Sequence, residues 1–405
     1  MKDHILFITS TNLASNPRCR KEINLALASN YKVTYIAFDL PNWTKEKEKH
    51  IQNDLAGVEK IYVSAGREKL INWVISTSLE VFLRKVYKCI SATSLVSYAI
   101  SRRSLQLIWA LKKLKVKPDL VIVHNPPAFY PAYYYSKKYN IPFAIDIEDY
   151  HPGEGNNNVI SNLTIQLIKK ILPFANYVSF AAPLIKEKIT SDVLPHKIAN
   201  TFIINNVFPD SEFLKPSKIT ASGKIQLVWF SQNIDKDRGL EEILPVIESL
   251  KDKFEITLIG NIRQEFYNNH LQGKPFIHIV SSLSQTDLNS KLCEFDIGLA
   301  IDTASADENR NICLTNKIWS YFQAGLFIIA SDTSAQVSFI YKFNQHGTII
   351  ELFDKEKLQK EMINVYEQWD KLSLQKLERF ENGKAYSWEI ESVKLKMKWK
   401  EIVQN

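Results

Sequence analysis

Four carboxylates and one histidine are crowded into residues 146–154, which read Asp-Ile-Glu-Asp-Tyr-His-Pro-Gly-Glu. The segment begins within the apolar run 143–147, so its polar residues stand at the end of a predicted strand. A carboxylate there can accept the proton of an attacking hydroxyl, or bind sugar hydroxyls without moving a proton. Glu148, Asp149 and His151 are therefore the candidate catalytic residues. A solvated acidic loop that caps the next helix is the alternative.

Two basic residues in the second half of the chain stand where a phosphate group could bind. Arg238 follows an apolar run and the polar residue Gln232, and it precedes a helical pattern. Lys317 stands beside Asn316 in the first turn of another helical pattern. Guanidinium groups bind phosphate oxygens bidentately, and helix N-termini attract anions. The sequence therefore predicts a phosphate site at Arg238 and Lys317, although either residue alone could be a solvated surface charge.

Three residues of the first half of the chain are candidates for contact with an acceptor or an anion. Asn16 and Pro17 predict a helix start directly after the first strand, so Arg18 should stand beside a helix N-terminus that favours an anion. His124 follows the apolar run 120–123 and should also lie at the end of a strand. An ordinary helix cap with a solvated arginine, and a buried histidine with satisfied hydrogen bonds, are the alternatives.

Short apolar runs rich in Ile, Val and Phe alternate with longer helical patterns along most of the chain. Nearly continuous apolar runs are typical of strands that are buried on both faces of a parallel sheet. The two series of runs predict an α/β fold with two Rossmann-like, doubly wound parallel-sheet domains that face each other across a cleft. The predicted strands are residues 5–9, 32–38, 60–64, 120–123, 143–147, 177–180 and 201–205, then 225–230, 254–260, 276–280, 297–301, 326–331 and 348–350.

The composition excludes several classes of protein. The chain has 405 residues, of which 45% are apolar and 23% charged, and this balance excludes intrinsic disorder. Its four cysteines form no C-x-x-C pair, so we expect reduced thiols in a cytoplasmic protein and no metal site. The absence of G-x-G-x-x-G and G-x-x-x-x-G-K-[ST] disfavours a nicotinamide dehydrogenase and a P-loop enzyme. No apolar run is long enough to predict a membrane span or a signal peptide.

The positive charge is concentrated in one segment of the first half. Residues 69–118 contain ten basic residues and the single acid Glu80, whereas the whole chain has a net charge of +7. Aromatic and aliphatic residues are interspersed with this basic cluster, and such a segment can lie on an anionic membrane surface. A pair of amphipathic helices with solvated lysines is the alternative. Nucleic acid is disfavoured as a partner because no recognition motif accompanies the charge.

Two segments of the second half match a known family pattern. Ser231, Gln232, Arg238 and Gly239 occupy the positions of a strand tip and a basic-glycine pair, and residues 315–325 read Thr-Asn-Lys-Ile-Trp-Ser-Tyr-Phe-Gln-Ala-Gly. The second segment resembles the sequence Pro-Asn-Lys-Leu-Phe-Glu-Tyr-Met-Ala-Ala-Gly of the retaining glycosyltransferases of the GT-B fold (family 4, or group 1). These enzymes build bacterial capsule, O-antigen and exopolysaccharide, and the resemblance covers nearly the whole chain.

The resemblance implies roles for the basic residues of the second half. It places Gln232 and Arg238 on the diphosphate of a nucleotide-sugar donor, and Asn316, Lys317 and Ser320 near the phosphates or the ribose. It also implies that no metal and no separate cofactor are required. The diphosphate leaving group would then be stabilised by basic side chains and helix N-termini.

Two positions differ from the family pattern. The carboxylates of a Glu-x7-Glu pair are replaced by Ile312 and Ser320, so the usual ribose-binding carboxylate is missing. In the first half, Glu148 stands where many members have a histidine after the fifth strand.

The resemblance also indicates the roles of the domains. We expect an acceptor-binding domain at residues 1–206, a linker at 207–224 and a nucleotide-sugar-binding domain at 225–385. Residues 386–405 begin with Tyr-Ser-Trp-Glu, which resembles the start of the last family helix, and that helix packs back on the first domain.

Three functional hypotheses follow from the sequence. The first is a hexosyltransferase that moves a sugar, with retention, from a nucleotide-sugar to a saccharide or lipid-linked acceptor in cell-surface polysaccharide biosynthesis. It would act in the cytoplasm, or peripherally at the inner face of the membrane. The second is a sugar-nucleotide epimerase or hydrolase of the same fold. The third is a catalytically inactive, membrane-associated binding protein, which the missing Glu pair favours.

Overall fold

The chain forms two compact units of similar size. The first unit runs to Asn205 and includes the chain from Ser392 onward, and the second unit is Asn206–Glu391. The computed structural model describes residues 2–41, 44–115, 117–194, 196, 198, 200–216, 223–303 and 306–404.

A seven-stranded parallel sheet forms the centre of the first unit. Its strands are β1 (His4–Thr9), β2 (Lys32–Asp39), β3 (Glu59–Ser64), β4 (Leu120–His124), β5 (Phe143–Ile147), β6 (Tyr177–Phe180) and β7 (Thr201–Ile203). Their order is β3-β2-β1-β4-β5-β6-β7, so the winding direction reverses between β1 and β4. Every residue of β1, β4 and β5 is buried, because helices cover both faces of the sheet.

The helices of the first unit connect these strands. They are α1 (Pro17–Ala28), α2 (Lys45–Asp54), α3 (Leu70–Lys85), α4 (Thr93–Ile100), α5 (Arg102–Lys112), α6 (Pro126–Tyr139), α7 (Asn158–Ile171) and α8 (Pro183–Glu187). The N-terminus of each helix that directly follows a strand lies at the carboxyl edge of the sheet, where the candidate residues after β1, β4 and β5 also stand.

The second unit contains a six-stranded parallel sheet. Its strands are β8 (Ile225–Ile234), β9 (Phe254–Ile262), β10 (Ile277–Val280), β11 (Ile297–Ala300), β12 (Phe327–Ser331) and β13 (Gly347–Ile350). Their order is β10-β9-β8-β11-β12-β13, which has the same reversal at β8 and β11. The prediction of an α/β fold with two Rossmann-like parallel sheets is confirmed, and every predicted strand is present.

The helices of the second unit are α9 (Leu240–Ser249), α10 (Gln264–Phe266), α11 (Gln285–Leu292), α12 (Glu308–Ile312), α13 (Asn316–Gln323), α14 (Ser334–Lys342), α15 (Lys355–Glu367), α16 (Trp369–Leu374), α17 (Lys376–Lys384) and α18 (Trp388–Glu391). Two strands are longer than predicted, because β8 and β9 stay paired beyond Phe230, through a register shift between Phe230 and Asn233. Gln232 is therefore part of β8 and not of a turn after it.

The final helix, α19 (Val393–Gln404), belongs to the first unit. Its residue Trp399 is fully buried, and the indole Nε1 donates a hydrogen bond to Tyr177 Oη at 2.8 Å. The same indole packs edge-on against Phe7, with 6.2 Å between the ring centroids. The side chain of Trp399 thus packs α19 against the sheet of the first unit.

The segment after the first sheet is packed into the second unit. Val207, Phe208 and Phe213 are buried in one of its apolar clusters. The amide of Gln323 bonds both backbone groups of Phe208, since it accepts from the N–H at 2.9 Å and donates to the carbonyl at 2.9 Å. These first residues of the segment 207–224, predicted as a linker, contribute to the core.

Two further observations concern membrane-spanning helices and the cysteines. Within the part of the chain that the structure describes, no helix is long and apolar enough to cross a membrane. None of the four cysteines, all of which the structure describes, forms a disulfide bond, and Cys19 and Cys293 are buried.

Candidate functional site

The loop between β8 and α9 presents Arg238 at the carboxyl end of the second sheet. Gly239 caps α9 in the left-handed region with φ of +79°, and a Cβ there would lie 2.8 Å from Leu352 Cδ2. Only glycine fits this position without strain, and its conformation sets the direction in which Arg238 leaves the helix start. The Arg238 side chain is half-buried and makes no hydrogen bond or ion pair with any residue that the structure describes.

Among the described residues, none of the acids nearest to Arg238 in sequence forms an ion pair with it. Asp235 lies 3.5 Å from the guanidinium of Arg263, and the exposed Lys236 bonds Glu265 at 2.6 Å. The backbone N–H of Asp237 donates to Glu241 Oε1 at 2.8 Å. The positive charge of Arg238 is therefore not neutralised by its own loop.

The start of α13 presents the second basic residue, Lys317. This helix packs tightly on β11, because a Cβ at Gly298 would lie only 2.3 Å from the ring of Tyr321. Lys317 is only 9% exposed, and its Nζ lies 5.3 Å from the centre of the Trp229 ring on β8. No carboxylate of a described residue lies within ion-pair distance of this ammonium group.

Another buried lysine of the second unit shows how unusual Lys317 is. Lys376 is 7% exposed, and its ammonium group donates to the carbonyls of Cys293 at 2.9 Å and Phe295 at 2.5 Å. Arg379, 1% exposed, likewise donates to backbone carbonyls. The Lys317 side chain is largely buried, but its ammonium nitrogen stays in contact with solvent. Lys317 is thus a cation whose one described partner is an aromatic ring, and an anionic ligand would supply a hydrogen-bond acceptor.

The other predicted donor-binding residues differ in their exposure and in their hydrogen bonds. Gln232 is exposed on the last part of β8. The amide oxygen of Asn316 accepts a hydrogen bond from Asn206 at 2.6 Å, so this acceptor is already in use. Ser320 is fully buried, and the structure therefore corrects the expectation that its hydroxyl contacts a ribose. All residues of α13 from Lys317 to Gln323 are buried, and Ser320 is packed among them.

In the first unit, Arg18 has a full set of partners. Its Nε and Nη2 donate to the two oxygens of Asp146 at 2.6 and 2.8 Å, and its Nη1 donates to the carbonyl of Ile204 at 2.8 Å. Both charged side chains are completely buried. The expectation that Arg18 faces an anionic ligand is thereby corrected, since Asp146 from β5 already acts as its counter-anion.

His124 is also buried and lies between two carboxylates. Its Nδ1 is 3.4 Å from Asp146 Oδ2, and its Nε2 is 3.6 Å from Glu22 Oε2. Burial opposes the charged imidazole, but the neighbouring Cys19, Glu22 and Asp146 raise the pKa of His124 well above its usual value. With 1% exposure, His124 is not presented to an acceptor, which corrects the prediction of a ligand contact.

Glu22, His124 and Asp146 offer ligand atoms within 4.8 Å of one another, a spacing that a metal ion could bridge. Both oxygens of Asp146 already accept hydrogen bonds, from Arg18 and from Ser179 Oγ at 2.5 Å. The adjacent guanidinium also repels a cation. Because Asp146 is already paired with Arg18, we assign no metal to this group.

Asn16 acts as a helix cap. Its side-chain oxygen accepts a hydrogen bond from the Cys19 N–H at 2.9 Å, and Pro17 is the first residue of α1, so the predicted helix start is confirmed. Its amide nitrogen donates to Asn125 Oδ1 at 3.3 Å, and the residue is 1% exposed. The expected acceptor contact is corrected here as well, because both polar atoms are used within the unit.

Glu148, Asp149 and His151 follow β5 and are each half-buried. Burial, followed by the negative charge of Asp149, raises the pKa of Glu148 to about 7. His151 Nδ1 lies 3.1 Å from Glu154 Oε1; burial opposes the charged imidazole, but Glu154 raises the pKa of His151. The nearby charges of Arg18 and Asp146 also act on Glu148, so the three candidates stand beside the buried cluster.

Sequence analysis missed two functional features. Glu22 was not singled out, although it lies four residues after Arg18 and therefore on the same face of α1. The contact of Trp229 with Lys317 was also not foreseen, because it joins residues far apart in the chain. The available signal was the large aromatic Trp229 within the apolar part of β8.

The whole chain is similar in structure to several known proteins. A glycosyltransferase from Rickettsia africae ESF-5 matches with a TM-score of 0.65 at 14% identity, covering 100% of this chain and 99% of that one. Sucrose-phosphate synthase from Thermosynechococcus elongatus gives 0.67 at 12% identity, covering 100% of both chains. HepE of Anabaena, in complex with UDP-glucose, gives 0.67 at 10% identity, covering 99% and 100%.

No family model and no curated protein matches the sequence. The structural similarity, together with the two parallel Rossmann-like sheets, shows that the chain has the GT-B fold. At these identities the likeness defines the fold, and the activity has to be argued from the side chains.

Proposed function

We propose that this protein is a nucleotide-sugar-dependent glycosyltransferase whose second unit binds the donor diphosphate through Arg238 and Lys317. The observation that carries the proposal is Lys317, whose side chain is largely buried and whose ammonium group has no anionic partner among the described residues, unlike Arg18. Arg238 adds a second unneutralised cation at the carboxyl end of the same sheet. Open α/β sheets bind ligands at that edge.

The chemistry of a nucleotide-sugar fits this pair of cations. During transfer, negative charge develops on the diphosphate as the bond to the sugar breaks. Preorganised donors aimed at such a charge give the largest single contribution in many enzymes. Charge-assisted hydrogen bonds of this kind each contribute about 1.5–3 kcal/mol, and the N-terminus of α13 adds a favourable dipole.

We assign the acceptor to the first unit, with Glu148 as the group that receives the proton of the attacking hydroxyl. A carboxyl with a pKa of about 7 is ionised in a useful fraction near neutral pH and still basic enough to accept a proton. Asp149 and His151 would orient the acceptor hydroxyls. Asn16, Arg18 and His124, whose side chains are buried, would not contact the acceptor and would instead stabilise the strand ends of the first unit.

We propose further that transfer needs no metal ion and no separate cofactor, because Arg238 and Lys317 supply the positive charge that a metal would otherwise provide. Addition of a chelator should then leave the rate unchanged. Strict dependence on added Mg²⁺ or Mn²⁺ would contradict this assignment.

The finer details of the proposal rest on the resemblance of residues 315–325 to the retaining enzymes. We propose transfer of a hexose with retention to a saccharide or lipid-linked acceptor, in the synthesis of cell-surface polysaccharide within the cytoplasm. HepE, whose structure contains UDP-glucose, makes UDP-sugars the first donors to test.

The test is product analysis by NMR after incubation of the full chain with nucleotide-sugars and a panel of saccharide and lipid-linked acceptors. A new glycosidic anomeric signal, with the donor configuration kept, is the expected result. Conversion of the donor without acceptor would instead indicate the alternative epimerase or hydrolase. An unchanged donor, in folded protein that binds no nucleotide, would favour the inactive binding protein.

A further inference from the structure

The outward face of α3 is apolar, although α3 lies on the surface of the first unit. Six of its large hydrophobic side chains are exposed by two fifths or more: Leu70 57%, Ile71 75%, Val74 45%, Ile75 50%, Val81 48% and Phe82 60%. The helix has 16 residues and is therefore about 24 Å long. Exposed patches of this kind mark interaction sites.

The exposed residues share one side of the helix. At 100° per residue, the six side chains fall within a sector of about 140°, together with Ser78 and Lys85. The opposite side holds Ser76 and Leu83, which are buried, and Ser76 Oγ accepts a hydrogen bond from Gln106 of α5 at 3.2 Å. The usual orientation of a surface helix is thus reversed, with its apolar stripe turned to solvent.

Positive charge surrounds this face. Arg67 and Lys69 are exposed just before the helix, and Lys85 and Lys88 are exposed at its other end. The outward sector contains no acid. Glu68 accepts a hydrogen bond from Ser64 at 2.5 Å.

Glu80 is used inside the unit. It pairs with Arg84 at 2.6 Å and accepts the backbone N–H of Arg102 at 2.5 Å. The local charge that α3 presents to solvent is therefore positive.

Other basic residues of the segment 69–118 are not available to a partner. Arg84 donates to the carbonyls of Ala99 and Ile100, and Arg102 donates to that of Ala65. Arg103 donates to the Ser10 carbonyl at 2.8 Å. These three arginines thus serve the fold, whereas the seven lysines of the segment are exposed. Lys69, Lys85 and Lys88 lie at the ends of α3, and the other four are Lys112, Lys113, Lys115 and Lys117, at and after the end of α5.

A cavity lies beside the first turn of α3. It has a volume of about 160 Å³, and Lys69, Asn72, Trp109 and Lys113 contribute to its lining. Two ammonium groups next to an apolar helix face suit a molecule that has both a phosphate and hydrocarbon chains. They do not suit a neutral apolar partner.

We propose that α3 docks on an anionic phospholipid bilayer, with its outward side chains in the boundary between headgroups and acyl chains and its flanking basic residues on the lipid phosphates. Helices of this composition bind in the plane of such surfaces, through buried apolar area and attraction to anionic lipid. The proposal does not depend on the glycosyltransferase activity, because docking requires neither donor nor acceptor.

Flotation of the full chain with vesicles tests the docking. Vesicles of phosphatidylcholine with about one quarter phosphatidylglycerol should bind the wild type, and vesicles of phosphatidylcholine alone should bind it much more weakly. The double variant Ile71→Ser/Phe82→Ser should bind at least tenfold more weakly, since two apolar side chains are lost from the interface. The triple variant Lys69→Gln/Lys85→Gln/Lys88→Gln should be similarly impaired, and added salt should weaken wild-type binding.

The matched control is Tyr341→Ser/Leu374→Ser in the second unit, where the side chains are 87% and 82% exposed but do not belong to α3. This variant should float like the wild type, and circular dichroism should show that all variants are folded. Failure of the wild type to float, or undiminished flotation of the α3 variants, would overturn the proposal. A dimer of the wild type that Ile71→Ser/Phe82→Ser dissociates would also overturn it, in favour of a second copy as the occupant.

Discussion

The basic residues at the carboxyl edges of the two sheets differ in whether they have a counter-anion within their own unit. In the first unit, Arg18 is completely buried and is neutralised by Asp146, with a further backbone acceptor at Ile204. In the second unit, the side chain of Lys317 is nine-tenths buried, and its one partner among the described residues is the ring of Trp229. Arg18 therefore has its counter-anion within the unit, whereas Lys317 has none among the described residues.

This difference identifies which basic residues serve the fold and which serve a ligand. Both arginines and lysines were candidates by their position after a strand or at a helix start. A guanidinium with internal acceptors stabilises the unit, and removal of one partner of such a pair leaves an uncompensated buried charge. A cation without internal acceptors gains free energy when an anionic ligand arrives. The variants described next change residues of one kind or the other.

The largest expected effect is on stability and concerns Arg18. Arg18→Met should lower the free energy of unfolding by about 3–5 kcal/mol, because the buried Asp146 loses its bidentate guanidinium partner. Urea denaturation measures the loss. The double variant Arg18→Met/Asp146→Asn should recover part of it, since the unpaired charge is then removed. A loss below about 1 kcal/mol in the single variant would place this pair among weak surface salt bridges.

Arg238→Ala should have the opposite profile. Its free energy of unfolding should stay within about 0.5 kcal/mol of the wild type, because no hydrogen bond or ion pair with a described residue is lost. Turnover should fall by about 10²–10³-fold if the guanidinium stabilises the leaving diphosphate. Arg263→Ala is the matched control, since Arg263 is two-thirds exposed and, among the described residues, forms its ion pair with Asp235. Near-normal transfer by Arg238→Ala would remove Arg238 from the mechanism.

A smaller effect on stability is expected when the two largely buried lysines of the second unit, Lys317 and Lys376, are replaced one at a time. Lys376→Met leaves two carbonyls without a donor and should lower the free energy of unfolding by about 1–3 kcal/mol. Lys317→Met removes a charge that has no internal acceptor, so its stability should be unchanged or higher, while nucleotide affinity falls. Denaturation and nucleotide titration on both variants check this. Equal destabilisation of the two would show that Lys317 serves the fold.

The smallest expected effect is the pH dependence that Glu148 confers. Its pKa of about 7 predicts a value of kcat/KM that rises with pH and levels off above about 7, because only the ionised carboxyl accepts a proton. Glu148→Gln should remove this rise. A profile that is flat between pH 5 and 8 in the wild type would exclude Glu148 as the base.

The same shift has a consequence for stability. Between the ordinary carboxyl pKa of 4.5 and about 7, the folded protein keeps a proton that the unfolded chain has lost. The contribution of Glu148 to stability is therefore present at low pH and is lost as the pH rises through that window.

The strands were predictable because parallel strands with two covered faces read as nearly continuous apolar runs, as in β4 and β5. The start of α1 was also predictable, since Asn16 and Pro17 form a local cap. The ion pair between Arg18 and Asp146 was not predictable, because the two residues are 128 positions apart and only the tertiary fold brings them together. For the same reason, the sequence could propose Lys317 as a phosphate ligand but could not show its burial against Trp229.

The most direct test of the central claim is a thermal-shift panel of UDP, GDP, ADP, CMP and their sugar conjugates on four proteins: wild type, Arg263→Ala, Arg238→Ala and Lys317→Met. A ligand at about 100 times its Kd stabilises by about 2.7 kcal/mol, which raises Tm measurably. The account predicts that one nucleotide shifts the wild type and Arg263→Ala, and leaves Arg238→Ala and Lys317→Met unshifted. Equal shifts in all four folded proteins, or no shift in any, would contradict an anion site at the carboxyl edge of the second sheet.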